Sequence, residues 1–127
     1  MSSLRALLMD YGGVLSDTPE LAGLVTRARA AGIATALVSD AHAVPDRIAA
    51  LFDVVVLGPA LGARKPDPEV FRRTAAALGV TAAECVVVDD QPGNLRGARA
   101  AGAVTVRHHD QETTVFEVEV LLALPPR

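Results

Sequence analysis

Apolar residues fall into short runs separated by longer segments with helical spacing. Residues 4–9 form the first run and read as a strand. Thr18-Pro19-Glu20 then carries a helix-start signature: a Thr cap, Pro at the first helical position and an acid in the first turn. That helix should run to about Ala31 and stop at Gly32. Residues 33–38 read as a second strand, 45–51 as a short helix and 53–57, with three consecutive Val, as a third strand. Asp67-Pro68-Glu69 repeats the cap, Pro and acid pattern and opens a helix ending near Leu78, before Gly79. A fourth strand over 85–88, a helix over 92–101 closed by Gly102, and a fifth strand over 103–107 follow. Residues 113–120 alternate like a strand, yet Val115, Val118, Leu121 and Leu122 also make a helical stripe. After five β–α repeats a closing helix suits the pattern better.

Continuous apolar strands, each followed by a helix, specify a parallel sheet covered on both faces. The expectation is one three-layer α/β domain over residues 1–127, with no internal repeat or linker. Composition refines this picture. Half of the residues are hydrophobic but only 3% are aromatic, so the core must be built from Ala, Val and Leu in close helix–sheet contact. A charged fraction of 21% with mixed signs excludes a disordered charged tail. A net charge of −3 and few aromatics leave nucleic-acid binding without support. No apolar run has membrane-helix length and no leader pattern is visible, so a cytoplasmic protein without a membrane partner is expected. The single cysteine, Cys85, excludes an internal disulfide and fits a reducing compartment.

The twelve basic residues are eleven Arg and one Lys, Lys65. Codon bias with one random survivor would explain this; so would a position that needs a compact ammonium and rejects a guanidinium.

Ligands of open parallel sheets bind beyond the carboxyl ends of the strands. There the sequence places Asp10-Tyr11-Gly12-Gly13, Ser39-Asp40, Arg64-Lys65-Pro66 and Asp89-Asp90. Taken singly, each Asp is most simply a turn former or helix cap. Gathered on one edge, their mutual repulsion calls for a cation, and hard oxygen donors suit Mg²⁺. A nearby lysine would then face an anionic substrate such as phosphate.

Four segments resemble the motifs of the haloacid dehalogenase superfamily, in its order. Leu7-Leu8-Met9-Asp10-Tyr11-Gly12-Gly13-Val14-Leu15 resembles the first and Leu37-Val38-Ser39 the second. Lys65-Pro66-Asp67-Pro68 with Phe71 resembles the third, and Val87-Val88-Asp89-Asp90 with Asn94 and Gly102 the fourth. The resemblance implies a three-layer Rossmann-like fold with a five-stranded parallel sheet. It implies a Mg²⁺-dependent phosphatase acting on phosphate monoesters. Asp10 would be the nucleophile that forms an aspartyl-phosphate. Ser39 and Lys65 would bind and neutralise the phosphoryl group at the site edge, with Asp40 beside the substrate. Asp10, the Gly12 carbonyl, Asp89 and Asp90 would hold the metal.

Two departures qualify the resemblance. Phosphatases of the family carry a general acid–base Asp two residues after the nucleophile, and this chain has Gly12 there. Such a group is typically worth about 10²–10⁴-fold in rate. Asp17 and Asp40 are candidate substitutes; the alternative is a catalytically weak phosphate-binding or regulatory domain. A 2-haloacid dehalogenase is disfavoured, since that branch has an aromatic residue at the Gly12 position and uses no metal. The second departure is a missing cap. Only 28 residues separate Asp10 from Ser39, and 23 separate Lys65 from Asp89, which leaves each gap room for little more than one helix. An open site suits a small phosphorylated substrate or a phosphorylated macromolecule. It also suits a homo-oligomer in which a neighbouring copy covers it, and a mean hydropathy of +0.32 favours self-association.

Other reactive residues read as structural. His108 and His109 are adjacent on a strand end and point to opposite sides. His42 is a loop residue, Cys85 a small core residue, and Arg72, Arg73, Arg96 and Arg99 lie on solvated helix faces.

Overall fold

A computed structural model describes residues 3–15, 19–58 and 62–125. The apolar runs form five strands: β1 (Ala6–Met9), β2 (Ala34–Ser39), β3 (Val54–Leu57), β4 (Cys85–Asp89) and β5 (Val104–Arg107). All pair in parallel, in the order β3-β2-β1-β4-β5. The helices are α1 (Pro19–Ala30), α2 (Asp46–Ala49), α3 (Pro68–Ala77), α4 (Pro92–Ala101) and α5 (Gln111–Leu122).

Period-two alternation divides the strand side chains between two cores. Leu7, Met9, Leu37, Val86 and Val88 pack with α1 and α5, and with Ile48 and Phe52 around α2. Leu8, Ala36, Val38, Val56 and Val87 pack with Val70, Phe71 and Ala75 of α3 and Ala98 of α4. Each Leu or Val removed from water in this way contributes about 1.5–3 kcal/mol. The small residues on the second face let α3 and α4 approach the sheet closely, as the composition requires.

The final segment is a helix, in keeping with the architectural reading. Asp110 caps it, its carboxylate accepting from the Thr113 amide at 2.8 Å. Val115, Val118 and Leu122 are buried against the sheet. Asp67 caps α3 as expected, accepting from the Glu69 amide at 2.9 Å. The Thr18 cap and Asp17 lie outside the described residues.

Several boundaries shift. Leu4 and Arg5 precede β1, because pairing begins at Ala6 opposite Ala34 and Cys85. Ile33 likewise precedes β2, and Ser39 is its last residue, opposite Leu57. Asp53 stands outside β3 because its carboxylate turns back to accept from the Thr35 amide at 2.8 Å and hydroxyl at 3.1 Å. The helix expected over 45–51 is a single turn. Asp89 belongs to β4 rather than following it.

The chain steps from β1 through β2 to β3, then crosses to the far side of β1 to lay down β4 and β5. The order therefore reverses between β1 and β4, where a crevice opens at the carboxyl ends of the strands. Among the described residues no helix is long and apolar enough to cross a membrane, and no separate unit stands over the crevice.

Candidate active site

The crevice brings together residues from four strand ends. The Asp10 amide donates to Val88 O at 3.2 Å, which extends the β1–β4 ladder and sets Asp10 beside Asp89 and Asp90. Chain reversal after β1 depends on Gly13, whose φ is +74°. A Cβ there would fall on the Asp90 carboxylate, so glycine is needed for both backbone and space. Val14 and Leu15 then bury into the core and anchor the turn.

Asp10, Asp89 and Asp90 each present a carboxylate oxygen, and these atoms lie within 4.8 Å of one another. Lys65 holds two of the three. Its Nζ is 3.0 Å from Asp10 Oδ1 and 2.9 Å from Asp89 Oδ2. Lys65 lies beside Asp10, where the sequence reading put it, and it is deeply buried at the floor of the site, only 6% exposed. Asp89 is 1% exposed and further fixed by the Asn94 Nδ2 amide at 3.2 Å and the Gln91 backbone amide at 2.9 Å. The Gln91 bond bears out the turn-forming reading of Asp89, and the same carboxylate also faces Lys65. Asp90 is half-buried and faces the cleft.

Burial drives the electrostatics. Desolvation pushes the Asp10 carboxyl up to about 6, with the Asp89 charge adding to the rise and Lys65 opposing it. Lys65 goes the other way: burial disfavours its charge, but Asp10 and Asp89 outweigh that and hold the ammonium above its ordinary range.

The cleft above this floor measures about 570 Å³ and is lined by Tyr11, Gly12, Ser39, Asp40 and Asn94 as well as the charged groups. Ser39 is buried, and its Oγ accepts from the Ala41 amide at 3.1 Å, which leaves the hydroxyl hydrogen free to donate into the cleft. Asp40 is exposed on the wall. All the residues expected from the sequence thus meet in one place, except Asp17, which lies outside the described residues. Asn94, which the sequence offers only as part of a motif, donates its side-chain amide to Asp89. His42 and His109 are exposed and stand outside the lining. His108 Nδ1 lies 2.7 Å from Thr114 Oγ1, and Cys85 is buried with its thiol pushed up to about 12 by desolvation. Both fit the structural roles expected.

The support beneath Lys65 has a sequence signal that pattern reading passed over: Gly97, isolated within α4. A Cβ at Gly97 would overlap the carbonyl oxygen of Pro66, so α4 packs directly on the backbone beside Lys65. Gly97→Ala should displace that loop, costing about 1–3 kcal/mol as overpacking does. Urea unfolding should show the loss, and the contact is unimportant if stability is unchanged.

The donor set fits a hard cation. Asp10, Asp89 and Asp90 offer only carboxylate oxygens, no His or Cys joins the group, and such donors suit Mg²⁺ over softer metals.

A family model described as haloacid dehalogenase-like hydrolase matches residues 5–102. The chain is 36% identical over 98 residues to a phosphoserine phosphatase from Thermus thermophilus, which covers 69% of this chain and 39% of that protein. It is 30% identical over 118 residues to acyl-CoA dehydrogenase family member 10 from Mus musculus, covering 88% of this chain and 11% of the mouse protein. The chain therefore spans less than half the length of these curated relatives. A solved structure of an uncharacterized protein from Corynebacterium glutamicum superposes with a TM-score of 0.88 at 30% identity, covering 98% of both chains.

Proposed function

The chain belongs to the haloacid dehalogenase-like hydrolases, and from that premise we propose that it is a Mg²⁺-dependent phosphatase acting on phosphate monoesters through Asp10. The observation that carries this reading is the buried Lys65 bridge between Asp10 and Asp89, at the base of an open cleft. A carboxylate held 3.0 Å from an ammonium is oriented for attack, and the same ammonium neutralises charge on an incoming phosphoryl oxygen.

In the proposed reaction an Asp10 oxygen attacks phosphorus, forming a new P–O bond. The bond from phosphorus to the leaving oxygen breaks, and the leaving group takes its proton from water. Water then attacks the aspartyl-phosphate, releasing inorganic phosphate and restoring the Asp10 carboxylate. Ser39 donates its hydroxyl hydrogen to a phosphoryl oxygen, and Lys65 screens the charge between nucleophile and phosphate. Asp10, Asp89, Asp90 and the Gly12 carbonyl would hold Mg²⁺. When bound, the ion supplies positive charge that offsets carboxylate–phosphate repulsion. The open cleft suits a small phosphorylated substrate or a phosphorylated side chain on a macromolecule. Mg²⁺-dependent phosphate release from an activated aryl phosphate tests the reading; absence of turnover rejects it.

Gly12 favours a second reading, a phosphate-binding domain with little turnover. Its backbone is ordinary for any residue (φ −64°, ψ 129°), and an added Cβ would meet no atom within 4 Å. Nothing steric therefore demands glycine, and the absence of an acid–base carboxylate there is a matter of chemistry. Gly12→Asp should fold normally and raise turnover of a poor leaving group by at least about tenfold if proton transfer is limiting. An activated aryl phosphate, which needs no acid, should gain much less. Equal gains on both substrates would count against a missing acid.

A further inference from the structure

We propose that the outer edge of β5 and the outward stripe of α5 form a two-fold interface between two copies of this chain. Val104, Phe116 and Val120 are the exposed large hydrophobic residues among those described, at 36%, 64% and 63% exposure. They are not scattered. All three line one groove of about 390 Å³ between β5 and α5, together with Val106 and Leu121, and Thr105 and Glu117 complete its lining. Isolated surface apolar residues need no explanation, but a contiguous patch marks an interaction site. The chain has only three Phe, and one of them is spent on the outside of α5. Phe116 and Val120 are one turn apart and share a helix face, while Val115, Val118 and Leu122 fill the opposite, buried face.

The backbone identifies the occupant. Among the described residues β5 pairs with β4 alone, so it is an edge strand. The His108 amide donates to Asp89 O at 3.0 Å. Successive amides alternate sides along a strand, so Val104 and Val106 also face β4, and Thr105 and Arg107 turn their N–H and C=O outward. The edge holds no Pro or Lys, and its one charged residue, Arg107, stands at the last position of the strand, so the usual protection against edge pairing is confined to that end. A two-fold axis through Thr105 lets the two Thr105 residues exchange N–H···O bonds in an antiparallel pair. That arrangement sets Val104 of one copy opposite Val106 of the other and brings Phe116 and Val120 of both copies to a common seam. Each copy supplies the complement of the other, which is what an isologous contact requires.

A four-residue strand and two helical side chains make a small interface, so the dimer should be reversible rather than permanent. Antiparallel pairing sends the two active-site clefts to opposite ends of the continuous ten-stranded sheet, so each stays open. This interface thus differs from one in which a neighbouring copy covers the cleft.

Sedimentation velocity from about 1 μM to about 1 mM, the range of weak association, tests the proposal. The expected result is a concentration-dependent monomer–dimer equilibrium. Phe116→Lys should raise its dissociation constant at least about tenfold, as loss of an interface anchor does. Thr105→Pro removes an outward N–H while sparing the β4 ladder, so it should also dissociate the dimer. Phosphate release per chain should be unchanged in Phe116→Lys. A monomer throughout the range overturns the proposal, and so does a dimer that Phe116→Lys leaves intact.

Discussion

Lys65→Arg should abolish most phosphate release although it conserves charge, and Lys65→Met should in addition destabilise the fold by about 3–5 kcal/mol. The Lys65 side chain is only 3% exposed and its single nitrogen reaches Asp10 and Asp89 at 3.0 and 2.9 Å. A guanidinium is planar and wider, and it needs its donors spread over a fork. With Pro66 pressed against α4 through Gly97, the loop has no slack to retreat and make room. Methionine nearly preserves the volume but leaves two buried carboxylates facing each other without a counter-charge. Because that cost is a charge cost, adding Asp10→Asn to Lys65→Met should restore part of the stability. This non-additivity separates an electrostatic role from a packing role. Urea unfolding of the wild type, Lys65→Met, Asp10→Asn and the double variant gives the full cycle, and steady-state phosphate release is read on Lys65→Arg. Retained activity in Lys65→Arg would return the lone lysine to an accident of composition.

That depth of Lys65 marks where the sequence stopped being legible. Buried parallel strands leave continuous apolar runs, and these located all five strands. Strand ends were less legible, because they depend on which partner residue lies opposite: Ala6 begins β1 only because Ala34 and Cys85 begin beside it. Asp10, Ser39 and Asp89 could be gathered from sequence because parallel topology sends every strand's carboxyl end to one edge. Lys65 is carried by a loop, and a loop's depth depends on what packs beneath it. Here that is one missing methyl group at Gly97 on a helix more than thirty positions away. The β5–α5 groove was hidden for a related reason. The stripe of residues 115, 118, 121 and 122 announces a helix, but not that Phe116 and Val120 on its other side would stand next to an edge strand.

Asp10→Asn should remove phosphatase activity and at the same time make the metal-free protein more stable by about 2–3 kcal/mol at neutral pH. The proposed nucleophile is held at an electrostatic cost. Its carboxyl titrates near 6 in the folded chain, against 3.8 as its ordinary value, chiefly because burial disfavours the charge. A carboxyl raised by folding binds its proton more tightly in the native state than in the unfolded state. Above pH 6 the folded protein bears the cost of a buried charge. Between pH 6 and about 4 the native chain takes up that proton while the unfolded chain does not, and the cost is progressively relieved. Asparagine never bears it. The stability advantage of Asp10→Asn should therefore be full above pH 6, shrink as pH falls, and vanish below about pH 4, as read by urea unfolding across the series. Mg²⁺ should narrow the gap from the other side, since a cation among Asp10, Asp89 and Asp90 offsets the cost of ionising Asp10. Adding Mg²⁺ should then raise the melting temperature of the wild type more than that of Asp10→Asn. The cost falls on the group whose reactivity the proposed reaction would use: a carboxylate stripped of water is a better nucleophile toward phosphorus because the fold has kept it from its most stable surroundings. A pH-independent difference between the two proteins would place the origin of any stability change in packing rather than in charge, and would leave Asp10 an ordinary buried side chain.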